Sequence, residues 1–215
     1  GGYGNRSGGM LGAFYSPGNQ YSFIGAGLHN SMSRCTGSFI GGGYNNKMSI
    51  YGDEEIHPDW SSIVGGYNNT IEDPSSSFIG GGEDNLIRNK AHFSSIVGGK
   101  GNAVYNYATG SAIMAGLENI IEYSGQSFIG GGESNWIGTH HTRSGSWIAI
   151  VGGYNNTISK ASAAFIGGGY GNYIASPIAE TKGDDYRSDF STIVGGKDNY
   201  IYDSPYSAVI AGGGG

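Results

Sequence analysis

Side chains that could do chemistry are few and stand mostly in the longer stretches between repeats. His140 and His141 could ligate a metal ion. Adjacent residues on an extended chain point to opposite sides, however, and no third ligand follows at a matching spacing. Asp184 and Asp185 could form the acid pair of a polysaccharide-cleaving β-helix. That chemistry needs a partner across a groove at a defined separation, which no spacing specifies. Gly99-Lys100 and Gly196-Lys197 invite comparison with a phosphate-binding loop. They are followed by Gly101 and Asp198 rather than Ser or Thr, and by no helical pattern. A calcium-binding array needs a regular Asp column, and none exists. An ice-binding face needs a regular outward Thr column. The candidate positions vary from Ser31 and Lys47 to Trp136 and Tyr200. The expectation is a non-catalytic protein with no metal and no cofactor.

What these stretches could do instead is bind. Aromatic and charged side chains together suit a glycan or a protein receptor, and loops carry function more often than the scaffold beneath them. The candidate binding residues are His57, Asp59, Trp60, His140, His141, Arg143, Asp184, Asp185, Tyr186 and Arg187. They stand in or beside three of four long connections, residues 8–21, 49–60, 138–147 and 175–190. The plainer alternative is that these stretches are solvated excursions lying on the scaffold.

The scaffold is a repeat. Ser38-Phe39-Ile40-Gly41-Gly42-Gly43-Tyr44-Asn45-Asn46 is followed by Ser61-Ser62-Ile63-Val64-Gly65-Gly66-Tyr67-Asn68-Asn69, and related units continue to the end. The last Asn of each unit is an anchor: Asn5, Asn30, Asn46, Asn69, Asn85, Asn102, Asn119, Asn135, Asn156, Asn172 and Asn199. The commonest spacing is 16, and the longest 27. Six residues before the anchor stands Ile, from Ile24 to Ile193, with Val209 in the last half-unit. Two residues after it stands Met, Ile or Val, from Met32 to Ile201. Three residues before it stands Gly. Each unit therefore reads as a short strand, a glycine turn closed by Asn, and a second short strand. Gly and Asn tolerate the positive φ of tight turns, and β-branched columns suit pleated strands. The Asn column has two readings, a ladder of side-chain amides or a left-handed turn position.

Units this short cannot bury a face alone; stacking does it, at ~4.8 Å per rung. The predicted fold is all-β, a β-solenoid or β-roll of about eleven short rungs, with residues 1–215 forming one domain.

Residues flanking the first Ile column share the opposite face of that strand. The pair is Phe plus Gly in some units (Phe23/Gly25, Phe39/Gly41, Phe78/Gly80, Phe128/Gly130, Phe165/Gly167). In the others it is small plus aliphatic (Ser62/Val64, Ser95/Val97, Ala112/Met114, Ala149/Val151, Thr192/Val194, Ala208/Ile210). A Phe never has a large neighbour. Packed interiors penalise both voids and overfilling, whereas a wet face needs no such rule. The stripe Phe23, Phe39, Val64, Phe78, Val97, Met114, Phe128, Val151, Phe165, Val194 and Ile210 is therefore expected to be covered. The expected cover is another copy of the chain; a second layer of the same chain is the alternative.

The Ser-Phe-Ile-Gly-Gly-Gly-Xaa-Xaa-Asn-Xaa-Ile and Ser-Ser-Ile-Val-Gly-Gly-Xaa-Xaa-Asn-Xaa-Ile units resemble YadA-type head repeats, found in trimeric autotransporter adhesins and some phage tail fibres. The resemblance covers essentially the whole chain. It implies a left-handed parallel β-roll, three chains about one axis, and the inner strand facing that axis. The period here is longer than the family's usual one. The chain has no heptad stalk and no membrane-anchor barrel, so attachment to a bacterial surface does not follow.

Bulk composition narrows the remaining classes. Gly accounts for 43 of 215 residues, yet 37 % hydrophobic content is too apolar for a disordered chain. Net charge is −6 and the 11 Lys and Arg are scattered, which argues against a nucleic-acid partner. No apolar run is long enough to cross a membrane as a helix. The single cysteine, Cys35, leaves no intrachain disulfide. The chain opens on Gly1 rather than Met, which reads as a mature product or a fragment. It begins with the back half of a unit and ends with a front half, so end-to-end stacking into a filament is a second expectation beside the adhesive or receptor-binding fibre segment. Both readings place the protein outside the cell.

Overall fold

The computed structural model describes residues 2–7, 21–50, 59–73, 75–139, 146–176, 188–203 and 207–214. Strands of two or three residues stack into two parallel sheets, each eleven strands deep. The front sheet holds the strand before each glycine turn, from Phe23–Ile24 to Val209–Ile210. The back sheet holds the strand after each anchor Asn, from Arg6–Ser7 to Tyr200–Tyr202. Strands join only their equivalents in the next rung: Ile40 pairs with Ile63 in front, and Met48 with Ile71 behind. The fold is a parallel β-solenoid without a helix among the described residues.

The two predicted aliphatic columns form one core. Ile40, Ile63, Ile79, Ile96 and Ile113 from the front meet Met48, Ile71, Ile87, Val104 and Ile121 from the back, all fully buried. Small inward residues fill the corner where back strand returns to front strand: Cys35, Ala91, Ala108 and Ala161. Burial pushes the Cys35 thiol up to about 12, opposed by a hydrogen bond with the Ser33 backbone and reinforced by Asp59.

Both readings of the turn are resolved. The positive φ belongs to the residue before the anchor, as at Asn45, Asn68, Asp84 and Glu118, and not to the anchor itself. The anchors form the ladder. Asn69 Oδ1 accepts the Asn85 backbone N–H at 3.1 Å and its Nδ2 at 3.0 Å. Asn85 Nδ2 also donates to the carbonyls of Gly81 and Gly99, at 2.9 and 3.0 Å. The pattern runs from Asn5 to Asn199. A fully buried amide is tolerated because its donors and its acceptor are matched. The glycine three residues before each anchor is the other half of the device. At Gly66, φ is +90° and an added Cβ would lie 2.6 Å from Asn69 Nδ2.

A second ladder was not foreseen. The Ser opening each unit points inward, and its hydroxyl accepts the backbone N–H of its equivalent in the next rung. Ser61 N–H reaches Ser38 Oγ at 3.2 Å, and Ser127 N–H reaches Ser111 Oγ at 3.0 Å. Ile148 and Ala164 occupy this column without a hydroxyl and fill it with carbon.

The last rung corrects one assignment. Val209 pairs with Thr192 and is exposed, while Ile210 pairs with Ile193 and packs against the core. Ile210 therefore belongs to the inward column and not to the stripe. The run of glycines after it permits either register. The one observed puts the larger branched side chain inside and sets Ala208 in the Ser column, where its N–H meets Ser191 Oγ at 3.3 Å.

Candidate functional site: the front face

Stripe residues point outward from the front sheet, as the alternation predicts. Phe23, Phe39, Val64, Phe78, Val97, Met114, Phe128, Val151 and Val194 are all exposed large hydrophobics, with Val64 at 50 %. Phe165 is half-buried. The Phe/Gly rule has a direct cause. In each such rung the ring leans along its own strand over the glycine: a Cβ on Gly80 would lie 3.3 Å from Phe78 Cε1, and one on Gly130 the same from Phe128 Cε1. The Gly80 Cβ would also run into the Val97 carbonyl of the next rung.

The rule reaches one column further than the sequence reading took it. The residue that enters each of the first ten front strands has positive φ: Tyr21, Gly37, Trp60, Ser76, Phe93, Gly110, Gln126, Trp147, Ala163 and Phe190. From Gly37 onward, rungs with Phe in the stripe have Gly, Ser, Gln or Ala at this corner. Rungs with Val in the stripe have Trp or Phe there. Large side chains thus alternate between corner and strand from rung to rung. Trp60 spreads over Gly37 of the preceding rung, where a Cβ would meet its Cε3 and Cζ3. Two places break the alternation. Phe23 and Phe39 are neighbours, their rings stacked at 6.0 Å and 13°. The Met114 rung follows the Val97 rung directly, and its corner is Gly110.

Bulky residues at positive φ are costly, on the order of 1 kcal/mol or more each. Trp60, Phe93, Trp147 and Phe190 bear that cost while about two-thirds exposed, their backbone N–H groups bonded to the preceding rung but most of each ring left uncovered by the lone chain. A polar cap fixes the corner. Asp59 Oδ1 accepts the Thr36 N–H at 2.6 Å, and Asp189 Oδ1 accepts the Ser162 N–H at 2.6 Å. His92 fills the same role, its Nδ1 accepting the Ser75 N–H at 3.0 Å. Burial lowers the pKa of His92, with Lys90 acting in the same direction and Asp73 opposing. A neutral ring is what this bond requires.

Of the candidate binding residues, Asp59 and Trp60 are thus scaffold: a corner cap and a front-face aromatic. His57, His140, His141, Arg143, Asp184, Asp185, Tyr186 and Arg187 lie outside the described residues. The signal for the corner column is the residue directly before each inward Ser (or its substitute), nine positions before the anchor Asn, where aromatics such as Trp60 and Phe93 exchange with smaller side chains such as Gly37 and Ser76.

The back face shows no alternation of large and small side chains from rung to rung. Its outward positions run through Lys47, Thr70, Leu86, Ala103, Ile120, Trp136, Thr157, Tyr173 and Tyr200 in one row. The second row carries Glu72, Arg88, Tyr105 and Glu122, then the small Gly138, Ser159 and Ala175. Arg88 lies 5.5 Å over the Tyr105 ring. Burial pushes the Tyr105 hydroxyl up to about 12, and the Glu122 carboxylate beside it adds to the shift. Glu122 Oε1 also accepts Trp136 Nε1–H at 3.2 Å.

Fold and surface together define a parallel β-solenoid repeat protein with one apolar outer face. Comparison with protein-family models and with curated proteins finds no match to this chain. Among the described residues no three His, Cys, Asp or Glu side chains gather as a metal site, and no helix is long and apolar enough to cross a membrane.

Proposed function

We propose that this chain is a non-catalytic segment of an extracellular fibre, built from three copies that pack their front faces about a common axis. The single observation that carries the reading is the alternation of large outward side chains between corner and strand. Steric rules of this kind belong to packed surfaces, and a continuous exposed apolar face on a lone chain is the mark of an interface. The likeness of the repeat units to YadA-type heads supports the number three and the placing of this strand toward the axis. It also supports an adhesive or tail-fibre role outside the cell, with recognition carried by surfaces that point away from the axis. No nucleic acid and no inserted membrane segment enters this reading.

The test is the mass of the native particle by light scattering over a concentration series. A fixed trimer is the expected result. A monomer at all concentrations would refute the assembly, and open-ended growth would replace the trimer by a filament.

A further inference from the structure

The back sheet carries a hollow that the scaffold does not need. In its first row Trp136, Thr157, Tyr173 and Tyr200 follow one another from rung to rung. Thr157 is thus a gap between two aromatics standing two rung spacings apart, about 10 Å. In the row beside it Gly138, Ser159 and Ala175 are all small, before Tyr202 closes the run. The result is a cavity of about 420 Å³, walled by Trp136, Tyr173 and Tyr202, floored by Thr157 and Ser159, and edged by Lys160.

The walls are held in place before any ligand arrives. Trp136 lies over Gly138, where an added Cβ would sit 2.9 Å from its Cζ2, and Glu122 holds its indole N–H. Tyr173 stacks on Tyr200 at 4.9 Å and 6°, and Tyr200 on Tyr202 at 5.8 Å and 23°. Burial raises the pKa of the Tyr173 hydroxyl, and Tyr200 and Tyr202 add to it, so that hydroxyl stays a donor. The floor, by contrast, is unspent: among the described residues the Thr157 and Ser159 hydroxyls serve no partner within the chain.

We infer that this hollow is a subsite for a hexopyranose unit of a glycan. Rigid aromatic faces offer π surface to the C–H faces of a sugar ring. Hydroxyls that both donate and accept, with one ammonium at the rim, match the ring's own hydroxyls. A purely apolar ligand would bury the Thr157 and Ser159 hydroxyls unpaired. A nucleotide would bring its phosphates to a chain of net charge −6. This inference deepens the proposed adhesive role by supplying a ligand class and a place, but it does not depend on the assembly.

The test is saturation-transfer NMR of the intact protein with methyl glucoside, galactoside, mannoside and N-acetylglucosaminide, beside the particle mass of the same sample. Millimolar binding of at least one sugar is expected. Tyr173→Ala, which removes a wall, should weaken it at least tenfold. Thr157→Phe, which fills the gap without removing anything, should weaken it equally while leaving the mass and circular dichroism unchanged. Tyr67→Ala, in the stacked Tyr44–Tyr67 pair along the turn edge, should leave binding intact. No binding of any of the four at about 50 mM, or binding undiminished in both hollow variants, overturns the proposal. A monomer that still binds sugar would sink the trimer and keep the subsite.

Discussion

Front and back sheets share one interior and one repeat but have opposite outer faces. Inward, both are columns of Ile, Met and Val locked by the same Asn ladder. Outward, the front rungs from Phe39 onward answer to the volume of their neighbours down to the corner residue, with the Met114 rung as the exception. Every back rung chooses freely among Lys, Thr, Leu, Trp and Tyr. A surface that must fit something of constant shape is constrained at each step; a surface that meets water, or a ligand at one place only, is not. On the proposed reading, that difference marks the front as the face that assembles and the back as the face left to present.

The largest expected effect strikes what the two faces share. Asn85→Ala would strip the Asn102 N–H of its acceptor and the Gly81 carbonyl of its Asn85 donor, while the Gly99 carbonyl keeps the Glu83 N–H. At about 1–3 kcal/mol for each buried group left unpaired, the loss should be at least about 2 kcal/mol, read as a fall in urea midpoint. Both faces should fail together.

Next come matched charges on the two faces. Val97→Asp in front should abolish assembly in light scattering while changing the stability of the lone chain by no more than about 1 kcal/mol. Thr70→Asp behind should leave the particle mass unaltered. Equal effects at the two sites would erase the distinction.

A subtler variant is Trp60→Gly. It relieves a positive-φ strain of about 1 kcal/mol and gives up the packing of the ring on Gly37. Stability of the chain should stay within about 1 kcal/mol of the parent, while the association constant falls. Unchanged association would mean that the corner aromatics lie outside the interface.

The smallest effect is that of pH at a corner. The folded-state pKa of His92 lies below its ordinary 6.5, so an unfolded chain takes up a proton there before the folded one does. Its contribution is whole above 6.5 and is lost as pH falls through the lowered folded value. Melting temperature should drop more between pH about 7.5 and 5 for the parent than for His92→Asn.

Much of this was legible in the sequence. The Ile columns, the glycine turn, the parallel stacking and the outward stripe follow from residue type and fixed spacing. Other features needed coordinates because different geometries share one residue preference. Asn46 looked equally fit for a ladder or for a left-handed turn; the turn fell to Asn45, and Asn46 was freed for the ladder. The Ser column was visible as a constant yet had no meaning until Ser38 Oγ was seen beside the Ser61 N–H. Val209 is assigned to the inward column and Ile210 to the stripe from sequence, and the register exchanges them because the glycines after them satisfy either frame. The corner aromatics stand at a constant nine positions before the anchor, but only the coordinates show that Trp60 turns outward over Gly37. The hollow at Thr157 arises from rows that run across rungs, a neighbourhood that only the register reveals.

The alternation on the front face has a consequence for how such a chain can grow over evolutionary time. All variation in rung length falls at one corner, so copying a segment leaves the interior undisturbed. Parity is another matter. Duplicating two rungs keeps large and small in step, whereas duplicating one shifts everything downstream by half a wavelength. The adjacent Phe23 and Phe39, and the Val97 and Met114 rungs with Gly110 between them, are phase slips of this kind. In the first the two rings stack, and in the second a glycine takes the place of the corner aromatic. A lineage that lengthens this molecule should therefore do so mostly in even steps, and each odd step should be marked by a compensating residue at the slip.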